Sequence, residues 1–324
     1  YVFVGQPGWH GERLYVVMAD QADLSSAADI VDPMERRQYV YERLTDHANA
    51  TQAGVRQALD AVGVNYHPYY LVNALEVDAG PFGADLHFYA STGSTNDVLK
   101  ELAADDAPEG TLVVADEQTA GRGRMGRRWE APPGSSLLFS VLFRPDLPAS
   151  DIYRLVMACG LAAAEACEAA TGYRVDVKWP NDLQIGGKKL AGILPESAIM
   201  GERAAWVIVG LGLNVSQVFA PGDPLRETAT SLRAATGQDV DRAALLAAIM
   251  ARLNAWNRAL AGEALLGAWR ARCVTLGQRV RVETPGGVVE GTAEDITPQG
   301  ALWLRDDAGQ RHRIAAGEAT LRTP

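Results

Sequence analysis

The sequence predicts an α+β fold that ends in a small β-barrel. Three observations predict it. Strand-like and helix-like stretches are interspersed through the first 272 residues, and a Gly186-Gly187 turn joins two of the strands as a hairpin. The helical stretches carry recognisable starts and stops. From Cys273 the pattern changes to short alternating strands between Gly-containing turns, the signature of a barrel of about 50 residues.

Leu14–Met18 reads as a strand. Asp32–Ala61 reads as a helix, with Pro33 at its start and Gly63 just beyond its end. Tyr69–Val77 reads as one further apolar strand. The Gly/Pro break at Asp78–Gly83 marks a boundary, so residues 1–80 form a small α/β segment. A helix starts at Ser94-Thr95-Asn96-Asp97 and runs to about Ala104. Thr111–Ala115 is a β-branched strand, Gln118–Trp129 a Gly/Arg loop and Ser136–Phe143 a strongly apolar strand. Ile152–Thr171 is a helix capped by Ser150 or Asp151 and closed by Gly172. Arg174–Lys178, Leu183–Ile185 and Trp206–Leu213 are strands, the last apolar enough to be central. Asp241–Leu260 is an Asp-capped helix and Ala264–Arg272 another. Gln278–Glu283, Val288–Ile296, Ala301–Arg305 and Arg311–Ile314 build the barrel, with turns at Pro285–Gly287, Pro298–Gly300 and Asp306–Gly309. The expected domains are 1–80, 81–272 and 273–324.

Composition narrows the function. Of the 324 residues, 48% are hydrophobic and 22% charged, which excludes wholesale disorder. No apolar run is long enough for a membrane helix, and no signal peptide is visible. The chain opens on Tyr1 rather than Met, as expected of a chain trimmed upstream. The net charge of −10 disfavours a general nucleic-acid binder. Residues 1–80 alone carry −6. Cys159, Cys167 and Cys273 have no metal-ligand spacing and read as free thiols in a reducing compartment. The five histidines are scattered, so neither a metal cluster nor a nucleophilic triad suggests itself.

Basic residues are lopsided: 26 Arg against four Lys. Three of the four lysines, Lys178, Lys188 and Lys189, fall within twelve positions. Lys178-Trp-Pro-Asn-Asp182 ends a strand, and Gly186–Gly192 is a turn with a return strand. Folding that hairpin brings Lys178, Lys189 and Asp182 together. Two cations side by side repel unless an anion lies between them, and a carboxylate there could hold Mg²⁺ with phosphate oxygens. The alternative is an exposed salt-bridged hairpin. Gly121–Trp129 interleaves three glycines with four arginines, which suits close backbone approach to phosphate. A solvated basic loop or an RNA contact would look similar. Gly210-Leu-Gly-Leu-Asn214 permits close approach at a strand end, or is simply a turn.

At these motifs the sequence resembles the biotin protein ligase family, from about Asp85 to Leu321. The matching strings are Ser94-Thr-Asn96, Gln118–Arg124, Gly126–Trp129, Lys178–Asp182, Lys189–Ile193 and Gly210–Asn214, in that order. The resemblance implies a mixed, mainly antiparallel sheet like that of class II synthetases, with packed helices and an SH3-like barrel. It implies ATP, biotin and Mg²⁺, a biotinyl-5′-adenylate intermediate, and transfer of biotin to one lysine of a carrier such as the biotin carboxyl carrier subunit of acetyl-CoA carboxylase. Carried over by residue, Ser94, Thr95, Asn96 and Gln118 bind biotin, with Gly192 beside them. Gly121 and Arg122 close the loop and Trp129 shields the site. Arg124 and Arg127 face phosphates and retain the adenylate. Lys189 contacts the biotin carboxylate and the α-phosphate, and Lys178 assists with phosphate charge. Asn181, Asp182 and Asn214 lie on the nucleotide side, with Asp182 the candidate Mg²⁺ ligand and a candidate base. Met125 stands where a basic residue is common.

The resemblance also implies a cytoplasmic enzyme and leaves a homodimer open. The N-terminal segment lacks a helix-turn-helix, so DNA binding is not expected. Gln21–Val77 is distantly similar to the propeptide-like inhibitor region of subtilisin-type precursors. Rival readings are a lipoate ligase or octanoyl transferase of the same fold, a non-catalytic biotin sensor, and protease inhibition through residues 1–80.

Overall fold

The structure is a computed structural model that describes residues 8–10, 13–18, 20–61, 66–70, 73–78, 81–83, 85–284, 286–315 and 317–321. The expected helix stop Gly63, residues 71–72 of the expected strand, residues 79–80 of the expected boundary and the turn residue Pro285 lie outside the described residues. Chain contacts divide the molecule into two units, Tyr1–Ala84 and Asp85–Pro324.

The first unit contains β1 (Gly8–His10), β2 (Arg13–Val17), α1 (Pro33–Ala61), β3 (Tyr66–Tyr69) and β4 (Ala74–Asp78). Its strands pair antiparallel in the order β1-β2-β4-β3. Asp32 caps α1, its carboxylate accepting from the amides of Met34 and Glu35 at 2.9 Å. The single strand expected over Tyr69–Val77 is instead split, with Tyr69 ending β3 and Ala74 starting β4. The start of β4 is fixed by polar groups inside an apolar run. Asn73, 2% exposed, donates to Asp20 O and Thr51 Oγ1, and the buried Gln52 amide donates to Asn73 Oδ1.

The second unit is built on β5 (Leu86–Thr92), α2 (Thr95–Ala104), β6 (Leu112–Gln118), β7 (Ser136–Phe143), α3 (Tyr153–Thr171), β8 (Asp176–Lys178), β9 (Asp182–Ile185), β10 (Lys188–Met200) and β11 (Arg203–Asn214). Helices α4 (Leu232–Thr236), α5 (Arg242–Arg258) and α6 (Glu263–Arg272) follow. The seven strands order as β5-β6-β7-β11-β10-β9-β8. Only β5 and β6 run parallel. This is the mixed, mainly antiparallel sheet expected. Strand β7 is buried at every position, as a central strand covered on both faces must be. Helix α2 lies over β6, β7 and β11, and α3 over β9–β11 with α5 and α6 along it.

Four departures from expectation have physical causes. Strand β5 went unread because its outward residues include Leu86, Phe88 and Ala90, which blur the alternation. Strand β10 runs thirteen residues, because its pairing with β11 continues well beyond the lysine motif. Helix α4 is too short to leave a periodic signal. Neither Ser150 nor Asp151 caps α3: a short 3₁₀ turn precedes it, and the Asp151 carboxylate accepts from Gln299 instead.

From Cys273 onward the chain forms β12 (Arg279–Thr284), β13 (Gly287–Ile296), β14 (Leu302–Arg305), β15 (Arg311–Ile314) and β16 (Glu318–Leu321), antiparallel throughout in the order β15-β14-β13-β12-β16. The last strand was not expected. This sheet is fastened to the edge of the seven-stranded one. Cys273 bridges to Val177, and Val274 N donates to Val177 O at 2.9 Å.

Two helix glycines make opposite predictions. A Cβ on Gly160 in α3 would stand 2.6 Å from the buried Trp269 ring, whereas one on Gly267 in α6 meets nothing within 4 Å. Gly160→Val is expected to destabilise by about 1–3 kcal/mol through overpacking. Gly267→Ala, exposed and mid-helix, is expected to stabilise by about 0.5–1 kcal/mol. Thermal or urea unfolding of the two variants checks both, and equal shifts of one sign would refute the packing described.

Candidate active site

The site lies at the end of the sheet where α2, the Gly/Arg loop and the β9–β10 hairpin converge. Its first part is a narrow cleft lined by Ser94, Thr95, Gln118, Gly192 and the backbone of β11. Ser94 occupies the N-cap of α2 but makes no capping bond. Gln118 does that work from β6, its Oε1 accepting from Thr95 N at 2.8 Å and lying 3.1 Å from Thr95 Oγ1. Ser140 Oγ of β7 lies 2.7 Å from Thr95 Oγ1 and 2.6 Å from Asn96 Oδ1. The Asn96 amide donates to Glu196 at 2.8 Å. Asn96 and the Thr95 hydroxyl therefore carry framework bonds, and both line the cleft beside Ser94 and Gln118.

Gly210 and Gly212 make this arrangement sterically possible. A Cβ on Gly210 would fall 2.3 Å from Asn96 Oδ1, and one on Gly212 2.5 Å from the Trp129 indole. Gly192 is the register partner of Gly212 on β10, and its Cβ would also meet the Trp129 ring, at 3.2 Å. Trp129 thus rests on a pair of bare glycine backbones. Its Nε1, buried and without a partner, is an unused donor at the junction of the clefts.

The Gly/Arg loop is an irregular hairpin. Arg122 bridges to Arg128, Gly123 N donates to Arg127 O at 2.7 Å, and Trp129 N donates to Gly121 O at 3.0 Å. The turn at Met125 and Gly126 takes positive φ values of 57° and 74°. Gly121 has no room for a side chain, because a Cβ would sit 2.4 Å from Trp129 O. Arg122 lines the narrow cleft but is held by carboxylates at its edge. It forms a two-pronged pair with Asp97, at 2.5 and 2.7 Å, and reaches Glu196 at 3.5 Å. Lys100 bonds both carboxylates, at 3.2 and 3.1 Å. The Arg122 guanidinium holds the Asp97 carboxyl down to about 2. Asp97, Lys100 and Glu196 were not anticipated. The Asp97/Lys100 spacing on one helix was a readable signal, whereas Glu196 gave none.

The second part of the site is cationic. Lys178 and Asp182 are register partners across β8 and β9, and Lys189 Nζ lies 2.8 Å from Asp182 Oδ1. The hairpin therefore does bring the two lysines to one carboxylate. A bulge in β10 between Lys189 and Ala191 frees the Lys189 backbone to pair with Thr228 and Thr230. Lys189 Nζ also stands 5.7 Å from the Trp129 ring centroid, within cation–π range. Burial, reinforced by Lys189 and Arg127, pushes the Lys178 ammonium below its ordinary value. Burial does the same to Arg124, whose guanidinium donates to Asn181 Oδ1 at 3.3 Å. Asn181 in turn donates to Ile193 O at 2.6 Å.

Lys178, Asp182, Lys189 and Trp129 line a further, wider cleft, together with Arg127 and Asn214. The Asn214 amide holds the far wall, donating to Thr230 O at 3.0 Å. Gln217 Oε1 on the same wall is buried without a partner. Among the described residues no group of three or more His, Cys, Asp or Glu side chains could cage a metal ion. All three cysteines are buried and unpaired. No helix of the described residues is long and apolar enough to cross a membrane.

The geometry is that of a small neutral polar cleft joined, across one indole, to a cationic one. Comparison with known proteins gives the same pairing a family. Residues 88–214 match the model described as "Biotin/lipoate A/B protein ligase family", and residues 275–322 that of the "Biotin protein ligase C terminal domain". The chain is 39% identical to the biotin–[acetyl-CoA-carboxylase] ligase of Mycobacterium tuberculosis over 252 residues, 75% of this chain and 91% of that protein. It is 37% identical to the bifunctional ligase/repressor BirA of Bacillus subtilis over 233 residues, 70% of this chain and 71% of that one. The biotin protein ligase of Aquifex aeolicus, solved in complex with biotin and ATP, matches with a TM-score of 0.64 at 30% identity, covering 74% of this chain and 99% of that one. The motifs, the mixed sheet and the two joined clefts therefore have one source: this chain belongs to the biotin protein ligase family.

Proposed function

We propose that this chain is an ATP-dependent biotin protein ligase, and that the observation carrying the reading is the pair Lys178–Lys189 held around Asp182 beside the glycine-floored indole of Trp129. Making an acyl adenylate brings a carboxylate against a triphosphate. The repulsion between them in a partly desolvated site is worth several kcal/mol. Preplaced ammonium and guanidinium groups offset it and stabilise the charge that builds on the α-phosphorus. Biotin's carboxylate is already ionised, so its oxygen forms the new P–O bond without a base while the bond to pyrophosphate breaks. In the second half an acceptor amine attacks the acyl carbon, AMP leaves, and one proton is lost.

Roles follow from placement. Ser94, Thr95 and Gln118 offer hydroxyls and an amide to a urea-type head group in the narrow cleft. Asn96, Gly121 and Gly192 shape that cleft, and Arg122 anchors the loop beside it. Trp129 separates the clefts. Lys189 lines the cationic cleft, and its Nζ lies 3.4 Å from where a Cβ on Gly192 would stand at the edge of the narrow one, so it receives the carboxylate and the α-phosphate. Lys178, Arg124 and Arg127 take phosphate charge, and Asn181 and Asn214 hold the walls. A Mg²⁺ ion arriving with the nucleotide fits one protein carboxylate, Asp182, better than a caged site, and would neutralise phosphate charge. Asp182 is also the candidate base for the acceptor amine. The acceptor is a lysine of a biotin carboxyl carrier protein. Residues 81–272 carry the chemistry and 273–324 support it. Residues 1–80 contain none of these motifs, and DNA binding is not part of the reading. The biotin-ligase C-terminal match and the relatives favour biotin over lipoate or octanoate.

The direct test is ATP–pyrophosphate exchange by the purified chain. Exchange is expected with biotin and not with lipoate or octanoate; exchange with lipoate alone would move the chain to the sister activity. Lys189→Ala is expected to cut adenylate formation by about 10²–10³-fold while biotin affinity stays largely intact. Wild-type turnover in that variant would remove the assigned role. Arg124→Gly is expected to release biotinyl-adenylate and label bystander proteins, read by blotting a mixed protein pool; labelling confined to the carrier would contradict the retention role. The Asp97–Arg122 anchor has a pH signature. A carboxyl lowered from 3.8 to about 2 supports the fold above its unfolded value and loses that support only as pH falls through the folded one. Asp97→Asn is therefore expected to weaken biotin binding by the same factor at pH 5 and pH 8. A factor that changes across that range would show that another group governs the loop.

A further inference from the structure

The turn that carries Lys178, Asn181 and Asp182 has its shape set from outside the sheet. Strand β8 is an edge strand with three register pairs to β9, too few to fix the residues beyond it. Its free edge is taken by the lead-in to the C-terminal sheet, through the Val274 N to Val177 O bond and the Trp179 N to Thr275 Oγ1 bond at 3.0 Å. Trp179 is 1% exposed and its indole N–H donates to Gly300 O at 2.8 Å, in the turn between β13 and β14. Gly300 has φ of 78°, and a Cβ there would lie 2.2 Å from the Tyr153 ring. The Tyr153 hydroxyl closes the circuit by donating to Pro180 O. Tyr153, Thr275 and Gly300 thus hold the peptide between Lys178 and Asn181, with Trp179 inside it as the anchor.

We propose that Tyr153, Trp179, Thr275 and Gly300 are positioning residues for the first half-reaction. Through them the C-terminal sheet holds the Lys178–Asp182 turn at the register the nucleotide phosphates need. None of the four touches the narrow cleft of Ser94, Thr95 and Gln118. Loosening the circuit therefore displaces phosphate-facing groups and spares the biotin end. The inference rests on the ligase reading above and names residues that reading does not use.

The test uses the full chain and two near-isosteric variants. Tyr153→Phe keeps the ring that packs on Gly300 and deletes the donor to Pro180. Thr275→Val keeps the volume and deletes the acceptor for Trp179 N. Each is expected to lower kcat/KM for ATP in biotin-dependent pyrophosphate exchange by about tenfold, because small displacements of positioned groups cost rate steeply. Biotin affinity by calorimetry is expected to stay within about twofold, since it reports ground-state binding at the other cleft. Gln299→Ala removes a different bond between the C-terminal sheet and the 3₁₀ turn at Asp151, and is expected to leave exchange unchanged. Unchanged ATP parameters in both variants would overturn the proposal. So would parallel losses in ATP and biotin parameters that track a fall in Tm, the pattern of a merely structural role. If the wild-type chain showed no biotin-dependent exchange, the ligase reading itself would fall, a result distinct from either.

Discussion

Like-charge repulsion is the constraint around which this molecule is organised. Lys178 and Lys189 lie on strands either side of Asp182, with Arg124 and Arg127 nearby. In the absence of an anion such a cluster drives itself apart, and burial raises the cost. One carboxylate cannot neutralise it. The sheet must supply what charge balance does not. Three antiparallel strands fix the lysines, a bulge aims Lys189, and the C-terminal sheet grips the turn that carries the rest. The strain is electrostatic, and the phosphates of the proposed reaction would relieve it. A site that is under-neutralised when empty binds a polyanion and then stabilises the further charge that develops on it.

The second requirement is proximity without exposure to water. The polar cleft and the cationic cleft must open onto one point, yet remain chemically distinct. Trp129 meets both demands because the sheet beneath it is bare. Gly192 and Gly212 face each other across β10 and β11, so the indole lies against backbone where any side chain would displace it. The loop that delivers Trp129 is tied to α2 through Arg122 and Asp97. Exposed ion pairs contribute little singly, but this one is two-pronged and shared among four charges, the case in which such pairs matter. Its effect is on where the loop sits rather than on how stable the fold is.

Much of this was legible in residues, and the unread parts share a cause. The hairpin of Lys178–Ile193 could be read because a Gly-Gly turn joins two strands whose charged residues must then meet. The close approaches at Gly210 and Gly212 could be read as a need for bare backbone, though not that Asn96 and Trp129, rather than a ligand, fill the space. Strand order could not be read locally, since β11 pairs with β7 across a long sequence separation; the family resemblance supplied it. The C-terminal grip was also invisible. Trp179 in a Lys-Trp-Pro-Asn-Asp string carries no mark of its bond to Gly300, 121 residues away. Polar networks misled in the same way: Asn73 breaks an apolar run that reads as one strand, because its partners come from distant parts of its own unit.

The scarcity of lysine now has a physical reading. A chain that uses arginine at 26 of 30 basic positions places two of its four lysines on the strands flanking one carboxylate, Lys189 in an ion pair with Asp182 and Lys178 opposite it in the strand register. Arginine is suited to fixed, planar, two-pronged contacts, and Arg122 on Asp97 is one. Lys189 has a different task. Its ammonium has three donors on a rotatable stem. One meets Asp182, and the others can turn towards a carboxylate in one cleft and a phosphate in the next. A guanidinium locked to Asp182 would present a fixed plane to a reaction whose geometry changes as one bond forms and another breaks. In the proposed reaction Arg122 holds the frame while Lys189 follows the reacting atoms, which is why the clustering of so few lysines in one hairpin marks the site.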